Sequence, residues 1–333
     1  MRPQIRRDVS PLPPGTSVCL GAFDGLHLGH RALMDAARAH GDQVALVTFD
    51  PHPQRVLAPD RPLVLLATAA QRERTAAALG IETLVLIPFD VALSRVSAEQ
   101  FVHEYLAALR PTAVVVGADF RFGAGRKGDA ALLQALLPAH GVAVRVLAPV
   151  PASAGGTSKI SSSTIREAIE GGEVDRAAAM LGRPHAVVGT VVTGDKRGRT
   201  IGFPTANLDL AASRAACAGL LPPAGIYAVW LVAISKNTLL CGPVAGAASI
   251  GTNPTFAGER AKRLEVYVID RDLGESLYGA SVEVWFVQRL RDEQRFDGVD
   301  ALVAQIGRDV DQARARLVDA TRDGVLPAPE MAP

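Results

Sequence analysis

The strongest constraint on the fold of this chain is the sequence Gly-Ala-Phe-Asp-Gly-Leu-His-Leu-Gly-His at residues 21–30. The apolar residues 17–20 before it are typical of a buried parallel strand, and residues 31–38 after it are typical of a helix. Ligands bind at the carboxyl ends of strands in open α/β sheets, where a helix start directs free N–H groups at an anion. His27 and His30 share one face of that helix start because they lie three residues apart. The turn therefore predicts phosphate chemistry.

Two other interpretations of the same turn stay open at this point. Gly25 and Gly29 would let a phosphate approach the backbone, but a Gly-rich strand-to-helix turn is also common in proteins with no such ligand. The two histidines would then only cap a helix or face solvent. Zinc is less favoured, because His27 and His30 lack the i, i+4 spacing and the intervening glutamate of a helical zinc hydrolase.

Length and composition limit the classes of function. The chain has 333 residues, which suits two domains, and 48% of them are hydrophobic, enough for substantial cores. Its net charge of +1 comes from 35 basic and 34 acidic side chains, so we expect no nucleic-acid partner. The 3 cysteines are too scattered for a disulfide framework or a Cys-x-x-Cys metal site. Because the N-terminus lacks a signal-peptide core and no apolar run approaches the ~20 residues that span a bilayer, we expect a cytoplasmic chain without a membrane partner. The oligomeric state is left open.

The chain changes its periodicity near residue 182, where we place the boundary between domains 1–182 and 183–333. The first half alternates predicted strands with predicted helices. The strands are residues 17–20, 44–49, 83–87, 113–116 and 142–147, and the helices are 31–38, 69–79, 98–109, 130–137, 164–170 and 174–181. This pattern predicts an α/β domain with a Rossmann-like parallel sheet and helices on both faces.

The second half contains mainly extended segments, which are residues 185–192, 225–232, 244–250, 263–269 and 281–287. A helix follows at residues 299–317. These segments predict an antiparallel β domain, a barrel or a sandwich, closed by one C-terminal helix. The Gly-, Pro- and Ala-rich tail after Asp323 is expected to be disordered.

Polar side chains follow the ends of three predicted strands of the first half. Asp50 and His52 come after the second strand, residues 117–129 follow the fourth, and residues 159–166 lie beyond the fifth. Because the carboxyl ends of parallel strands meet at one edge of a sheet, we expect a single rim of His, Ser, Lys and Arg. The half has neither a P-loop nor a Rossmann fingerprint, so phosphate binding would depend on histidines, helix ends and arginine.

Thr164 and Glu167 fit a capping box, which predicts that a helix begins at Thr164. Ser162 and Ser163 would then lie at its N-terminal end, with Arg166 in the first turn. An arginine in that position opposes the helix macrodipole, which favours an anion nearby. For this segment alone, a helix cap with a surface arginine is the simpler alternative.

Three features of the second half have chemical potential. A Gly-rich loop with three cations spans residues 194–199, and it could close over phosphates or be a solvated hairpin. Thr205 and Asn207 lie on one side of an extended segment, where their oxygens suit Mg²⁺. Glu265 lies in a predicted strand; it could face solvent or a barrel mouth, where it could accept a proton from a substrate hydroxyl. The pattern leaves that choice open.

Four segments of the first half resemble the nucleotidyltransferase module of bacterial bifunctional riboflavin kinase/FAD synthetases. They are residues 21–30, Thr-Phe-Asp-Pro-His-Pro at 48–53, Gly-Ala-Asp-Phe-Arg-Phe-Gly at 117–123 and Ile-Ser-Ser-Ser-Thr-Ile-Arg at 160–166. Many adenylyl- and cytidylyltransferases share the first segment, and the other three narrow the resemblance to the flavin enzymes. The resemblance implies catalytic roles for His27, His30 and Arg166. It also implies ATP contacts from Gly21, Phe23, Asp24, Gly29, Ser162, Ser163 and Thr164, and flavin contacts from Asp50, His52, Asp119, Phe120 and Arg121.

The second half resembles the riboflavin kinase module of the same family. The matching segments are Gly-Phe-Pro-Thr-Ala-Asn at 202–207, Gly-Ile-Tyr-Ala at 225–228, Gly-Thr-Asn-Pro-Thr-Phe at 251–256, Leu-Glu at 264–265 and Leu-Arg-Asp-Glu at 290–293. The resemblance implies a six-stranded barrel that uses MgATP, with Glu265 as the base and Thr205 and Asn207 as magnesium ligands. It also implies ATP contacts from Gly194, Lys196, Arg197 and Gly198, and flavin contacts from Phe203, Asn253 and Arg291. Residues around Arg291 and the C-terminal helix would line the flavin site. Two segments depart from the family pattern: the turn at 270–278 is longer than expected, and residues 195–197 form an unusual phosphate loop.

Together the two modules cover nearly the whole chain. The resemblance implies an enzyme that converts riboflavin to FMN and FMN to FAD, with ATP as co-substrate, Mg²⁺ as cofactor and these small molecules as its partners. The FMN phosphate would attack the α-phosphorus of ATP, so no nucleophilic Ser or Cys is needed. The alternatives are a nucleotidyltransferase for another phosphate ester whose β domain only binds, and a flavin-binding regulator with inactive sites. The intact candidate residues argue against both.

Overall fold

The structure is a computed structural model that describes residues 2–61, 63–153, 156–194, 197–210, 219–234, 242–254, 260–271 and 276–322, with only the backbone for 197, 252–254 and 260–262. The predicted disordered tail and the residues 195–196 and 272–275 of the two unusual segments lie outside this set. The chain divides into two compact units. The first is Met1–Val64 with Ala70–Ser161, and the second is Leu65–Ala69 with Ser162–Pro333. The functional boundary at residue 182 stays a prediction.

The first unit is built on a six-stranded sheet in the order β1-β4-β3-β2-β5-β6, in which every pair of neighbours is parallel. Its strands are β1 (Gln4–Arg6), β2 (Thr16–Leu20), β3 (Gln43–Asp50), β4 (Thr83–Pro88), β5 (Ala113–Gly117) and β6 (Ala143–Leu147). Its helices are α1 (Leu28–Arg38), α2 (Pro53–Leu57), α3 (Ala69–Ala78), α4 (Ala98–Phe101) and α5 (Ala130–Leu136).

The sheet has an apolar core on each face. Val18 and Leu20 of β2 pack into one hydrophobic cluster, whereas Cys19 packs into the other, because successive strand residues point to opposite faces. Both clusters also contain helix residues, such as Leu133 of α5 in the first and Met34 of α1 in the second. The predicted parallel sheet with helices on both faces is confirmed.

Two parts of the first unit differ from the expectation. Strand β1 was not predicted, since Ile5 is its only apolar residue; it joins the sheet by parallel pairing of Ile5 with Leu84 of β4. The expected helix over 98–109 is irregular, because a π-helical turn at Val102–Leu106 and a 3₁₀ turn at Ala107–Leu109 follow α4. Arg110 then ends it with a φ of 51°.

The second unit begins with α6 (Ser162–Glu170) and α7 (Val174–Leu181) and continues as a closed β-barrel in the order β10-β11-β8-β7-β12-β9. The barrel strands are β7 (His185–Val192), β8 (Thr205–Asp209), β9 (Gly225–Ala233), β10 (Val244–Pro254), β11 (Arg260–Val268) and β12 (Ser281–Arg291). A short helix α8 (Arg197–Thr200) precedes β8, and α9 (Val299–Arg322) ends the described chain. The six-stranded barrel and its C-terminal helix are confirmed.

Strand alternation gives the barrel two different faces. Tyr227, Leu264 and Phe286 belong to the cluster that fills the interior. The neighbouring Ala228 and Val287 belong instead to a cluster with Val310, Ala313 and Leu317 of α9. Helix α9 therefore covers part of the outer barrel surface. None of the described helices is long and apolar enough to cross a membrane.

Candidate active sites

The turn after β2 has an unusual backbone that the core supports. Phe23, Gly25 and Leu26 have positive φ angles of 48°, 88° and 43°, a region that costs free energy for residues other than glycine. The side chains of Phe23 and Leu26 are fully buried in the sheet core, which compensates for that cost. Thr48 of β3 donates a hydrogen bond to the carbonyl oxygen of Ala22 at 3.0 Å. Packing therefore fixes the turn in one conformation.

His27 and His30 lie together at the N-terminus of α1, as predicted. His27 is the N-cap residue, and its Nδ1 accepts a hydrogen bond from the backbone N–H of His30 at 3.3 Å. The two rings stack with centroids 3.6 Å apart, and Phe23 meets His30 edge-on at 5.0 Å. Because Nδ1 accepts, neutral His27 carries its proton on Nε2, which makes Nε2 a hydrogen-bond donor.

Side chains larger than glycine would crowd the residues around these histidines. A Cβ on Gly29 would lie 3.1 Å from Cε1 and Nδ1 of His27, and one on Gly21 would lie 3.3 Å from the Phe23 ring. Asp24 in the same turn is buried. Burial also raises the pKa of Cys19 to about 12, so this neighbouring thiol stays protonated and is no nucleophile.

The other predicted residues of the first unit make local contacts. Asp50 pairs with Arg7 at 3.2 Å, and Nδ1 of His52 accepts from the N–H of Gln54 at 3.2 Å as the cap of α2. Asp119 forms an ion pair with Lys159, which lowers the pKa of the Asp119 carboxyl. Phe120 stacks on Phe122 at 5.8 Å, and the guanidinium of Arg121 donates to the carbonyl oxygen of Phe120 at 3.0 Å.

Arg72 of α3 was not singled out by any sequence pattern. Its Nε is buried and has no hydrogen-bond partner within the described chain. Burial lowers the pKa of the Arg72 guanidinium, while the charges of Asp50 and Asp24 act in the opposite direction. A half-buried cation thus lies near two predicted site carboxylates, and only the folded chain brings them together.

The predicted capping box at Thr164 is wrong. Helix α6 begins at Ser162, so Ser162, Ser163 and Thr164 form its first turn, and Thr164 is a helical residue. Ser161, also a favoured N-cap residue type, directly precedes the helix. Arg166 is consequently the fifth helical residue and lies beyond the first turn, where the helix macrodipole acts. The macrodipole therefore no longer favours an anion near Arg166. Since α6 belongs to the second unit, the contribution of these residues to the site at His27 stays a prediction.

The barrel unit brings together the three residues predicted to act on MgATP and riboflavin. Strands β8 and β11 pair so that Glu265 lies opposite Asn207, and Oγ1 of Thr205 donates to Oε2 of Glu265 at 3.1 Å. Nη1 of Arg263 lies 3.7 Å from Oε1 of Glu265. All are on the outer barrel face, because the alternate residues Leu264, Val266 and Leu208 fill the interior.

The Gly-rich segment before β8 closely approaches these side chains. A Cβ on Gly194 would overlap the Asn207 amide, and one on Gly198 would overlap the carbonyl oxygen of Phe203. The N–H of Phe203 donates to the carbonyl oxygen of Gly198 at 2.8 Å. Lys196 lies outside the described residues. For Arg197, the first residue of α8, and Asn253 of β10, only the backbone is described.

A cavity of about 320 Å³ opens beside Glu265, between the outer barrel face, α9 and the segment before β8. The predicted residues Phe203, Thr205, Glu265 and Arg291 all line it, together with Tyr267, whose ring meets Phe203 edge-on at 5.3 Å. Its volume is in the range of small-molecule sites. Glu265 therefore faces a ligand-sized cavity on the outer barrel face.

Asp309 of α9 also lines this cavity and was missed from the sequence. It is 4% exposed and accepts two hydrogen bonds from Arg291. The sequence did contain a signal that Asp309 is buried, because this aspartate directly precedes the buried Val310 on the apolar side of an amphipathic helix. Within the described residues, no group of three or more His, Cys, Asp or Glu side chains could hold a metal ion.

Two different family models match the two halves of the chain. A family model for FAD synthetase matches residues 10–164, and one for riboflavin kinase matches residues 181–317. A bifunctional riboflavin kinase/FMN adenylyltransferase of Listeria monocytogenes is 37% identical over 303 residues, covering 90% of this chain and 91% of that protein. The protein of the same name from Escherichia coli K12 is 36% identical, covering 90% and 92%.

One solved structure resembles the chain over most of its length. It is a crystal structure described as a macrolide-efflux protein from Streptococcus pneumoniae, with 32% sequence identity and a TM-score of 0.80. The match covers 94% of this chain and 99% of that one. It supports the fold of the chain.

Proposed function

The chain belongs to the family of bifunctional riboflavin kinases/FMN adenylyltransferases, and from this premise we propose how its residues divide the two reactions. It transfers a phosphoryl group from ATP to riboflavin to give FMN, and it adenylylates FMN with ATP to give FAD and pyrophosphate. The observation that carries the proposal is the cluster of Thr205, Asn207 and Glu265 at the edge of a ligand-sized cavity.

Glu265 acts as the general base of the kinase reaction. Its carboxylate accepts the proton of the riboflavin 5′-hydroxyl while that oxygen bonds to the γ-phosphorus of ATP and ADP leaves. The hydrogen bond from Thr205 orients the carboxylate, and Nη1 of Arg263 lies 3.7 Å from its other oxygen. A positioned general base contributes about 10²–10⁴-fold to such reactions.

Thr205 and Asn207 are the residues that would hold Mg²⁺. Their side chains offer neutral oxygens next to the Glu265 carboxylate, a donor set that suits this hard cation. Because Gly194 has no side chain, space remains beside the Asn207 amide. When bound, the ion neutralises charge on the ATP phosphates. Gly194, Lys196, Arg197 and Gly198 would contact those phosphates from the adjoining loop.

The cavity beside Glu265 would hold riboflavin. Phe203 and Tyr267 supply aromatic surface for a flat ring system, and Arg291 supplies hydrogen-bond donors. Asn253 is proposed to contact the flavin from β10. The riboflavin kinase match to residues 181–317 argues against a β domain that only binds a ligand.

The turn at His27 and His30 would serve adenylyl transfer. A phosphate oxygen of FMN bonds to the α-phosphorus of ATP, and the bond to the bridging oxygen breaks as pyrophosphate leaves. The positive end of the α1 dipole, together with the two imidazoles, stabilises negative charge on the phosphates. The proposed ATP contacts at this turn are Gly21, Phe23, Asp24 and Gly29. Further proposed ATP contacts are Ser162, Ser163, Thr164 and Arg166. Asp50, His52, Asp119, Phe120 and Arg121 are proposed to position FMN.

One incubation tests the proposed function. The purified chain is mixed with riboflavin, ATP and MgCl₂, and the flavins are separated by chromatography. FMN should appear first and FAD should follow; omission of Mg²⁺ should prevent both. Absence of both products from the complete mixture would show that the proposal is wrong.

A further inference from the structure

Two arginines near the end of β12 point to different faces of the barrel. Arg289 pairs with Tyr227 of β9 and Arg291 pairs with Ile226, so Leu290 between them is an extra residue, a β-bulge. Without the bulge, Arg289 and Arg291 would share a face. With it, Arg289 lies 6.0 Å from the ring of the buried Tyr227, whereas Arg291 lines the cavity on the outer surface.

Helix α9 holds the Arg291 side chain in one orientation. Nε of Arg291 donates to Oδ1 of Asp309 at 2.8 Å, and Nη2 donates to Oδ2 at 2.6 Å. Nε2 of Gln305, one turn earlier, donates to the same Oδ1 at 2.8 Å. The Asp309 side chain is 5% exposed and that of Arg291 is 16% exposed, so this two-pronged pair is largely shielded from water.

The ion pair with Asp309 leaves some N–H groups of the Arg291 guanidinium without a hydrogen-bond partner among the residues that the structure describes. A guanidinium has five N–H groups in a fixed plane. Nη1 donates to the carbonyl oxygen of Asp292 at 2.8 Å, and the pair with Asp309 uses two further N–H groups. Two N–H groups of a cavity-lining cation therefore have no partner within the described part of the chain. Phe296, whose ring lies 5.9 Å from the guanidinium carbon, packs beside it.

We propose that Asp309 is a positioning residue for the kinase reaction. It fixes the plane of Arg291 so that the two remaining N–H groups donate to the carbonyl oxygens of the flavin ring. The bulge at Leu290 aims the arginine at the cavity, and Asp309 sets its rotation. This inference rests on the proposed function of the cavity.

The test is Asp309→Asn, which keeps the shape of the side chain and removes its charge. The matched control is Asp311→Asn on the same helix, whose carboxylate pairs with Arg314 at 2.9 Å and whose side chain is 78% exposed. We expect the KM for riboflavin to rise about tenfold or more in Asp309→Asn, because a free guanidinium rotates away from the flavin. In Asp309→Asn, the KM for ATP and the rate of FMN adenylylation should stay at their wild-type values. In the Asp311→Asn control, the KM for riboflavin should also stay unchanged.

Riboflavin binding provides a readout that needs no turnover. The chain has 2 tryptophans, Trp230 of β9 and Trp285 of β12, and both lie in the barrel unit. Quenching of their emission by riboflavin should weaken in Asp309→Asn as the KM rises. Arg291→Lys should give the same loss, since lysine is a point charge without the fork geometry, and the double variant should be no worse than either single variant. Asp309→Glu, which restores the charge, should recover part of the affinity.

A purely structural role for Asp309 gives a different result. The melting temperature would fall in Asp309→Asn, while the KM for riboflavin and the quenching stayed at wild-type values, and the proposal would be overturned. If Asp309→Asn does not fold, Gln305→Leu removes one hydrogen bond to Asp309, together with two exposed ones from Arg308, and leaves the pair of Asp309 and Arg291 in place. That variant should raise the KM for riboflavin about two- to threefold, and an unchanged KM would contradict the proposal. Failure of the wild-type chain to make FMN would instead refute the proposed function itself.

Discussion

The two units position their candidate site residues by different means. In the parallel-sheet unit, the backbone positions His27 and His30. It does so through a turn with positive φ angles, a helix N-cap and a glycine at which a Cβ would press on the His27 ring. In the barrel unit, Glu265 and Arg291 are set by other side chains, Thr205 across the sheet and Asp309 from a helix.

This difference predicts how each unit responds to substitution. A site built by a contiguous turn is sensitive to small changes in backbone shape, even at residues without functional groups. A site assembled from distant side chains is sensitive to loss of a charge or a hydrogen-bond partner. Variants of each kind therefore test the comparison.

The largest effect is expected at Glu265. Glu265→Gln removes the proton acceptor and should lower the rate of riboflavin phosphorylation about 10²–10⁴-fold, or about 3–5 kcal/mol of transition-state stabilisation. Adenylylation of supplied FMN should continue at the wild-type rate. Both rates are measured by flavin chromatography, with the exposed Asp319→Asn on α9 as the control. Wild-type phosphorylation by Glu265→Gln would remove Glu265 from the mechanism.

A buried histidine should make the stability of the barrel depend on pH. His185 donates to the carbonyl oxygen of Leu220 at 2.6 Å, and burial lowers its pKa to about 4, below the ordinary 6.5. Above pH 6.5 the histidine is neutral in both states. Between pH 6.5 and 4 only the unfolded chain takes up the proton, so stability falls as pH falls, by about 3 kcal/mol in total.

Urea unfolding followed by tryptophan emission measures this loss, because both tryptophans lie in the barrel unit. His185→Gln should flatten the pH dependence between 6.5 and 4, whereas the exposed His103→Gln in the first unit should leave it unchanged. Equal slopes in wild type and His185→Gln would contradict the burial argument.

A methyl group should disturb the first site without removing any functional group. In Gly29→Ala the added Cβ, 3.1 Å from two atoms of the His27 ring, displaces the imidazole. We expect FMN adenylylation to fall about tenfold and phosphorylation to stay unchanged. The control is Gly307→Ala in α9, where a Cβ meets nothing within 4 Å, so the same change should leave both activities intact. A Gly29→Ala variant with full adenylylation would show that the glycine is not needed for His27.

The smallest effect on stability is expected at the exposed pair of Asp119 and Lys159. Asp119→Asn should change the free energy of unfolding by less than about 1 kcal/mol, since solvent screens such pairs. If Asp119 positions FMN, the same variant raises the KM for FMN. Asp35→Asn, which breaks another exposed ion pair of this unit, is the control for both quantities. An unchanged KM for FMN would leave Asp119 with a surface role only.

Local features could be predicted from the sequence, and pairings between distant segments could not. The turn at residues 21–30 could be predicted because the strand, the glycines and the helix start follow one another directly in the sequence. Strand β1 was missed because it has a single apolar residue and is identified as a strand only by its pairing with β4, far along the chain. The start of α6 was misplaced because several residues in a row can cap a helix, and sequence alone does not select among them.

The same reasoning applies within the barrel site. Glu265 could be predicted as a candidate base, but its contact with Thr205 depends on the register of β8 and β11. Asp309 could not be predicted as a partner of Arg291, since that pair needs both the bulge at Leu290 and the docking of α9. Both contacts join residues that are far apart in the sequence, so local sequence patterns do not predict them.

Exchange of intermediates between two variants tests the central claim of separate active sites on one chain. His30→Ala is expected to convert riboflavin to FMN and to stop there, and Glu265→Gln to convert supplied FMN to FAD but to leave riboflavin unchanged. Mixed in one tube with riboflavin and MgATP, the two folded variants should restore FAD formation. Loss of both activities in either folded variant, or a mixture that accumulates FMN without FAD, would contradict the account.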